Sequence, residues 1–340
     1  MMFLKLTYRL VFLLLIFNWH NVIGQDLHFS QFYANPLNLN PAMTGYMGGD
    51  NRAHINYKNQ WQSISNPYRT LALSYDRHFL REKLNGNWLG GGLQIINDQA
   101  GTSQWSNLKV LLNMAYIHKI SPTSYLSSGV QLGMIQQSFN ANDLFFDAQI
   151  LPSGVNTSLP TNENLQNFSR SALDIGFGML FGSKPNEKLD IYSGFSFGHI
   201  NKAKVSFVDL EYQLQLKTTF HAGLTYKVNS NFYFQPSMIL QHYSTSKELI
   251  MGSAIAYDLT SVADEKTFLA SFGAWYRSKD AFIPYAALEI EAWKFGISYD
   301  INTSPLSAAS SYRGGLELSL KWEIPTFAQR LLHAVPCPRF

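Results

Sequence analysis

Charge is what this 340-residue chain has least of: Asp, Glu, Lys and Arg make up 14% of it, against about a quarter in an ordinary soluble domain. It has one cysteine, Cys337, which excludes an intramolecular disulfide and a cysteine-based zinc site. Cys337 also lies far from the amino terminus, so it is not the lipidated residue of a lipoprotein. Past the first two dozen residues no apolar run approaches the roughly 18 residues of a spanning helix. An excess of positive charge is missing too. Of 26 Lys+Arg against 23 Asp+Glu, Lys5 and Arg9 fall in an acid-free leader, and the remainder is nearly neutral. Without a basic face, nucleic acid is not an expected partner. No two histidines stand at His-x-x-x-His spacing. The nearest thing to a metal pair is His54 and His78, read as facing each other across adjacent strands, with no third ligand implied. Gly194-Phe195-Ser196-Phe197-Gly198 matches the Gly-x-Ser-x-Gly pattern, but it lies inside the candidate strand 189–200 and not at a strand-to-helix elbow. The chain is therefore read as a non-enzyme without cofactor or metal. Only a catalytic constellation assembled from separate strands would escape this reading.

Aromatic residues reach 14%, and there are 23 glycines. Few charges and many aromatics suit a large surface that does not face water. Residues 1–24 read as a secretory signal peptide: Lys5 and Arg9, then the apolar run Leu10 to Phe17, then Val22-Ile23-Gly24 before cleavage. Gln25 is the expected first residue of the mature chain. The apolar run is too short to span about 30 Å of hydrocarbon.

From about Arg52 the hydrophobic pattern has period two. In residues 314–324, Leu316, Leu318, Leu320, Trp322 and Ile324 alternate with Glu317, Ser319, Lys321 and Glu323. A strand sends these sets to opposite faces, as lipid outside and a polar inside require. Leu214, Leu216, Phe220, Leu224 and Tyr226 repeat the pattern against Gln213, Gln215, Lys217 and His221. Candidate strands are 52–59, 69–79, 87–97, 104–120, 124–139, 169–182, 189–200, 213–226, 230–243, 248–258, 267–277, 281–290, 293–301 and 313–324. The fold predicted is all-β: an antiparallel outer-membrane barrel of about 14 strands, each near the length that crosses a bilayer at a tilt. An even count lets the sheet close with both chain ends on one side. Tyr75, Trp105, Tyr125, Tyr192, Tyr257, Trp275, Tyr276, Trp293 and Tyr299 are read as interfacial girdles. Inward residues are read as mainly Ser, Gly, Asn and Gln. The long polar stretch 140–168 is expected as an outer loop. Segments 258–266 and 277–280 fit the loop alternation poorly and suggest a miscounted strand. A soluble sandwich or propeller would also alternate, but needs neither girdles nor so little charge.

The expected organisation is a leader at 1–24, a lead-in or plug at 25–51, a barrel at 52–324 and a tail at 325–340. The lead-in is rich in Asn and Gly, so no regular helix is expected there. Its apolar Phe29, Phe32, Leu37, Leu39 and Met43 need burial. Gln60-Trp61 and Pro67-Tyr68 fall in the first outer loop, where Trp and Tyr serve either as binding anchors or as interface residues.

The run Phe29-Ser30-Gln31-Phe32-Tyr33, then Asn40-Pro41-Ala42-Met43-Thr44-Gly45, then Gln60-Trp61, Pro67-Tyr68-Arg69-Thr70 and Ser74-Tyr75-Asp76 resembles the amino-terminal signature of the PorP/SprF family of type IX secretion membrane proteins. Residues 296–300 and 314–320 resemble its closing strands, and Pro336-Cys337-Pro338-Arg339-Phe340 its carboxy-terminal tag. The resemblance implies a fourteen-stranded barrel in the outer membrane. It also implies work with periplasmic and outer-membrane components of the secretion and gliding machinery, or with a large secreted surface adhesin. Phe29, Gln31, Asn40, Pro41, Gly45, Cys337, Pro338, Arg339 and Phe340 are the partner-binding candidates. The lead-in and the tail are expected to share one periplasmic surface. A general or substrate-specific porin is the alternative. Leu318→Arg, toward lipid, is expected to hinder assembly, and Ser319→Arg, toward an open lumen, to be tolerated.

Overall fold

The computed structural model describes residues 27–62, 66–101, 105–139, 144–161, 168–205, 213–260, 267–305 and 307–324. The leader, its cleavage before Gln25 and the tail with Cys337, Pro338, Arg339 and Phe340 lie outside the described residues.

Fourteen strands close into one antiparallel barrel in which each strand pairs with the barrel strands before and after it in the chain, and the last pairs with the first. They are β1 (Asn51–Gln60), β2 (Tyr68–Leu84), β3 (Asn87–Ala100), β4 (Trp105–Ser121), β5 (Ser124–Phe139), β8 (Phe168–Asn186), β9 (Leu189–Gly198) and β10 (Lys217–Lys227). The circuit continues through β11 (Phe232–Tyr243), β12 (Ser246–Asp258), β13 (Phe268–Arg277), β14 (Ala281–Ile290), β15 (Trp293–Asn302) and β16 (Arg313–Ile324). The missing numbers are a two-residue pair, β6 (Ile150–Leu151) and β7 (Gly154–Val155), in the long β5–β8 connection. No strand was miscounted: the connection after β12 is long in a barrel that closes on fourteen strands.

Closure follows from the β1–β16 ladder, which runs without a break from Asn51↔Ile324 to Gln60↔Gly315. The start of β1 and the end of β16 therefore share one rim, called here the terminal rim; the opposite rim is the far rim. A closed sheet leaves no edge for lipid to meet.

Alternation sorts side chains as period two requires. Leu112, Met114, Leu173 and Phe272 are the most exposed large apolar residues of the strands, each at least 60% accessible. They belong to an outward apolar belt that includes Leu71, Leu73, Val130, Leu132, Phe295, Ile297 and Leu318. Glu317, beside Leu318, is buried on the inner side. The girdle reading needs correction at three residues. Tyr75, Trp105, Tyr257, Tyr276, Trp293 and Tyr299 are exposed, but Tyr125, Tyr192 and Trp275 sit at inward positions in the core. Leu214 is corrected as well. β10 begins only at Lys217, and Leu214 packs with Ile135, Ala203 and Val205 in a small cluster near the far rim.

Candidate functional site

The site is the interior, and residues 27–50 fill it. The sequence favours short turns here. Asn40 caps the 3₁₀ turn Pro41–Met43: its side chain accepts from the Ala42 N–H, and Pro41 takes the first helical position, where a missing N–H costs nothing. Pro36 does the same at the start of the helical turn Pro36–Leu39. These turns bury Phe32, Tyr33, Leu37, Leu39, Ala42 and Met43, which answers the need for burial read from the sequence. Tyr33 packs on Trp275 and Tyr285 with ring centroids 4.8 and 5.5 Å apart. Tyr46 lies against Trp88, and Trp88 against Tyr125.

In the far half the segment meets charge. The N–H groups of Ser30 and Gln31 donate to the two carboxylate oxygens of Glu317 at 2.8 and 3.0 Å. Ser30 Oγ donates to Asp300 Oδ1 at 2.6 Å and accepts from Arg277. Arg277 Nη2 also reaches Asp300 at 3.0 Å, and Lys58 Nζ stands 3.8 Å from the same carboxylate. The Gln31 amide donates to Ser298 Oγ and to the Glu317 carbonyl, and its Oε1 accepts from Ser319 Oγ at 2.6 Å. Arg277, Lys58, Asp300 and Glu317 are all buried. In low dielectric a buried charge persists only when paired and hydrogen-bonded, and here the segment's backbone and Ser30 supply part of that pairing.

Toward the terminal rim the segment meets wall backbone and one buried ion pair. Asp76 takes Arg52 bidentately at 3.1 and 2.7 Å and the Gly45 N–H at 2.8 Å. Arg52 also donates to the Met43 carbonyl, and Trp88 Nε1 to the Gly45 carbonyl. Asn40 donates to the Met179 and Phe195 carbonyls of the wall, and its Nδ2 lies 3.0 Å from His221 Nε2. The wall glycines are shaped to this path. A β-carbon on Gly90 would collide with the Thr44 carbonyl, one on Gly129 with Pro41, and one on Gly178 with the Asn40 amide. Gly45 itself has φ +67°, the left-handed region that glycine enters without strain.

The five lead-in candidates are thus all inside. Phe29, Gln31, Asn40, Pro41 and Gly45 are buried against the wall. Residues 28–31 reach the far half, away from the terminal rim where β16 ends, and the tail expected to share a surface with the lead-in lies outside the described residues. The other interior readings change too. Inward residues touching the segment include Arg52, Lys58, Asp76, Arg277, Asp300 and Glu317, besides Ser, Gly, Asn and Gln. Ser319 faces Gln31 across 2.6 Å, so Arg there would meet the segment and not open water. His54 stands opposite Ser74, and His78 opposite Gly90, so the two histidines do not face each other. Trp61 and Tyr68 pair edge to face at 5.0 Å across the first connection. The charged partners could have been suspected from the sequence, because each falls on the inward parity of its strand.

A closed antiparallel barrel with an apolar outer belt and its own amino-terminal segment packed inside defines a class: the plugged outer-membrane β-barrel. The family model of the type IX secretion system membrane protein PorP/SprF matches residues 21–322, and the chain belongs to that family. The Pro336–Phe340 tag lies beyond the matched residues. No curated protein matches the chain. Among solved structures, a deletion mutant of the TodX monoaromatic hydrocarbon channel is similar at a TM-score of 0.50 and 9% identity, covering 84% of this chain and 93% of that one. A Pseudomonas aeruginosa FadL homologue gives 0.43 at 10% identity, covering 84% and 92%. The KdgM porin gives 0.36 at 8% identity, covering 80% and 99%. These likenesses concern the fold.

Proposed function

We propose that this protein is a non-enzymatic component of the type IX secretion and gliding machinery, a membrane anchor that works by binding partners and not by conducting solutes. The observation that carries the reading is the interior: residues 29–47, all but Ala34 and Asn38, are buried, and the segment is tied to the wall by Glu317, Asp300, Asp76 and Trp88. A porin would have to release that segment before anything passed. The partners proposed are periplasmic and outer-membrane components of the same machinery, with a large secreted adhesin as client. The terminal rim is the periplasmic side, and Cys337, Pro338, Arg339 and Phe340 are the residues a partner reads there. A short proline-flanked sequence is easily captured by another protein. The leader is removed near Gly24.

Two measurements test this. Protein reconstituted in planar bilayers is expected to show no steady conductance, and steady open channels from the intact protein would favour the porin. Deleting residues 336–340 is expected to leave the heat-modifiable barrel intact and to lose co-purifying envelope proteins. Unchanged partners and unchanged surface display would overturn the role given to the tail.

A further inference from the structure

Positive charge gathers on one arc of the terminal rim. The consecutive neighbours β2, β3, β4, β5, β8, β9, β10 and β11 meet that rim through short connections at Asn85-Gly86, Pro122-Thr123, Glu187-Lys188 and 228–231. Arg81, Lys83, Lys119, Lys184, Lys188 and Lys227 stand at or beside these connections, exposed or half-buried. Glu82, Glu187 and Asp190 are the acids among them.

These cations are held differently from those across the rim. On the arc of β14 to β16, Lys294 faces Glu289 at 3.9 Å and Lys321 faces Glu323 at 3.4 Å. Among the described residues none of the six makes an ion pair. Arg81 lies instead over the Trp88 ring, 4.8 Å from its centroid, and Lys227 over Tyr233 at 5.7 Å. An aromatic face steadies a cation without cancelling its charge.

Four of the six fall on the mouth side of the wall. Lys119 continues the inward parity of Ala115 and Ile117, Lys184 that of Leu180 and Gly182, and Lys227 that of Thr219 and His221. Arg81 covers Trp88, an inward core residue that lies against Tyr46 of the inner segment. Lipid head groups surround the outside of a barrel, which is where Arg77 stands, over the exposed Phe79. Cations at the mouth are placed for something that approaches along the barrel axis. Residues 325–340 of this chain do not match them in charge, since they carry two arginines and no acid.

We propose that this arc is a docking surface for a periplasmic protein that presents a row of Asp and Glu side chains to the mouth of the barrel. The inference deepens the anchoring role and takes from it the side that the terminal rim faces. Complementary charge fixes which partner docks and in what register. A partner held by Arg81 would share the Arg81–Trp88–Tyr46 stack with the inner segment.

The test uses the full mature protein in phosphatidylcholine nanodiscs and a fluorescein-labelled peptide of alternating Glu and Ser. Binding is expected, and it should weaken about tenfold between about 50 and about 300 mM salt, because exposed charges are screened. A carbodiimide, which joins a carboxylate to a lysine amine in contact with it, should cross-link the peptide to Lys83, Lys119, Lys184, Lys188 or Lys227 and not to Lys247 or Lys279 of the far rim. Lys119→Glu with Lys184→Glu should weaken binding about tenfold, and Lys119→Gln with Lys184→Gln less, with heat-modifiable mobility kept in both. Lys247→Glu with Lys279→Glu should change nothing. Absence of binding, equal cross-linking on both rims, or binding untouched by the Lys119 and Lys184 substitutions would overturn the site. Acetylation of Lys119, Lys184 and Lys227 without peptide should be the same when phosphatidylglycerol is added to the nanodisc; protection by that lipid would make head groups the occupant and overturn the protein partner. The side of the rim is read separately, with Lys119→Cys in a Cys337→Ser background and a membrane-impermeant maleimide. Intact cells should stay unlabelled until the outer membrane is opened. Labelling of intact cells would overturn the periplasmic partner and the orientation given to the anchor, whereas failure of the peptide to bind overturns this site alone.

Discussion

Between Leu27 and Gln31 the inner segment meets a cluster of four buried charges; between Asn40 and Gly49 it meets mainly wall backbone, together with the buried Arg52–Asp76 pair and the Glu323 carboxylate. In the far half, Glu317 and Asp300 accept from Ser30 and Gln31, with Arg277 and Lys58 alongside. Near the terminal rim, the fit depends on glycines that let one backbone approach another and on single side chains that reach carbonyls. The difference teaches how such an interior fails. A charge cluster fails when one member goes and strands the others. A close-packed contact fails when anything is added.

Arg277→Met should cause the largest loss. It leaves Asp300 buried with only Lys58 and Ser30, and breaking a buried charge pair by removing one partner costs about 3–5 kcal/mol. Unfolding of the barrel in urea, followed by heat-modifiable gel mobility, measures it. Arg277→Met with Asp300→Leu should recover part of the loss, because the stranded charge is gone. If the double variant is no better than the single one, the far half is not held by charge pairing.

Leu318→Arg and Ser319→Arg come next, and they separate the two faces of one strand. Arg at 318 faces lipid and should cost about 2–4 kcal/mol if it lies near the midplane, seen as slowed insertion. Arg at 319 should let the barrel insert but displace Gln31, seen as protease cleavage within residues 27–50. Identical behaviour of the two would contradict the facing assigned to β16.

How far this interior was legible follows from particular residues. Period two placed Leu318 outside and Glu317 inside, and every barrel strand overlaps a stretch with that pattern. The apolar Phe32, Leu39 and Met43 announced that the lead-in would be buried. What they met was illegible, because Ser30 and Asp300 lie 270 positions apart and only closure brings them together. Position near a strand end misassigned Tyr125, Tyr192 and Trp275, because an aromatic there fits a girdle as readily as a core. The glycines are plain in the sequence, yet nothing local says that Gly178 makes room for Asn40.

Gly178→Val tests the terminal half and should cost less than Arg277→Met. The added carbons meet the Asn40 side chain and Pro41, and forcing atoms into a packed interior costs about 1–3 kcal/mol. Gly198→Ala is the control, since the nearest atom to its β-carbon would be Lys217 Cβ at 3.6 Å, an ordinary contact. Equal losses from the two would mean that strand propensity, not the inner segment, decides.

The smallest effect expected is that of Ser319→Ala, and it bears most directly on how the two halves are coupled. Ser319 Oγ donates to Gln31 Oε1, while the Gln31 amide is held separately by Ser298 and the Glu317 carbonyl. Removing the hydroxyl deletes one neutral hydrogen bond and leaves the charge cluster and the glycine contacts untouched, so the loss should be about 1 kcal/mol. Gln31 Oε1 is then buried without that donor. If the halves act as one cooperative unit, this loss should add to that of Gly178→Val with little interaction, because the two sites share no partner. If the segment instead peels from the far rim while its terminal half stays seated, Ser319→Ala should speed hydrogen exchange at the Ser30 and Gln31 amides and leave the Gly45 amide unchanged. Exchange of all three amides rising together in Ser319→Ala would show that charge clamp and backbone fit open as one.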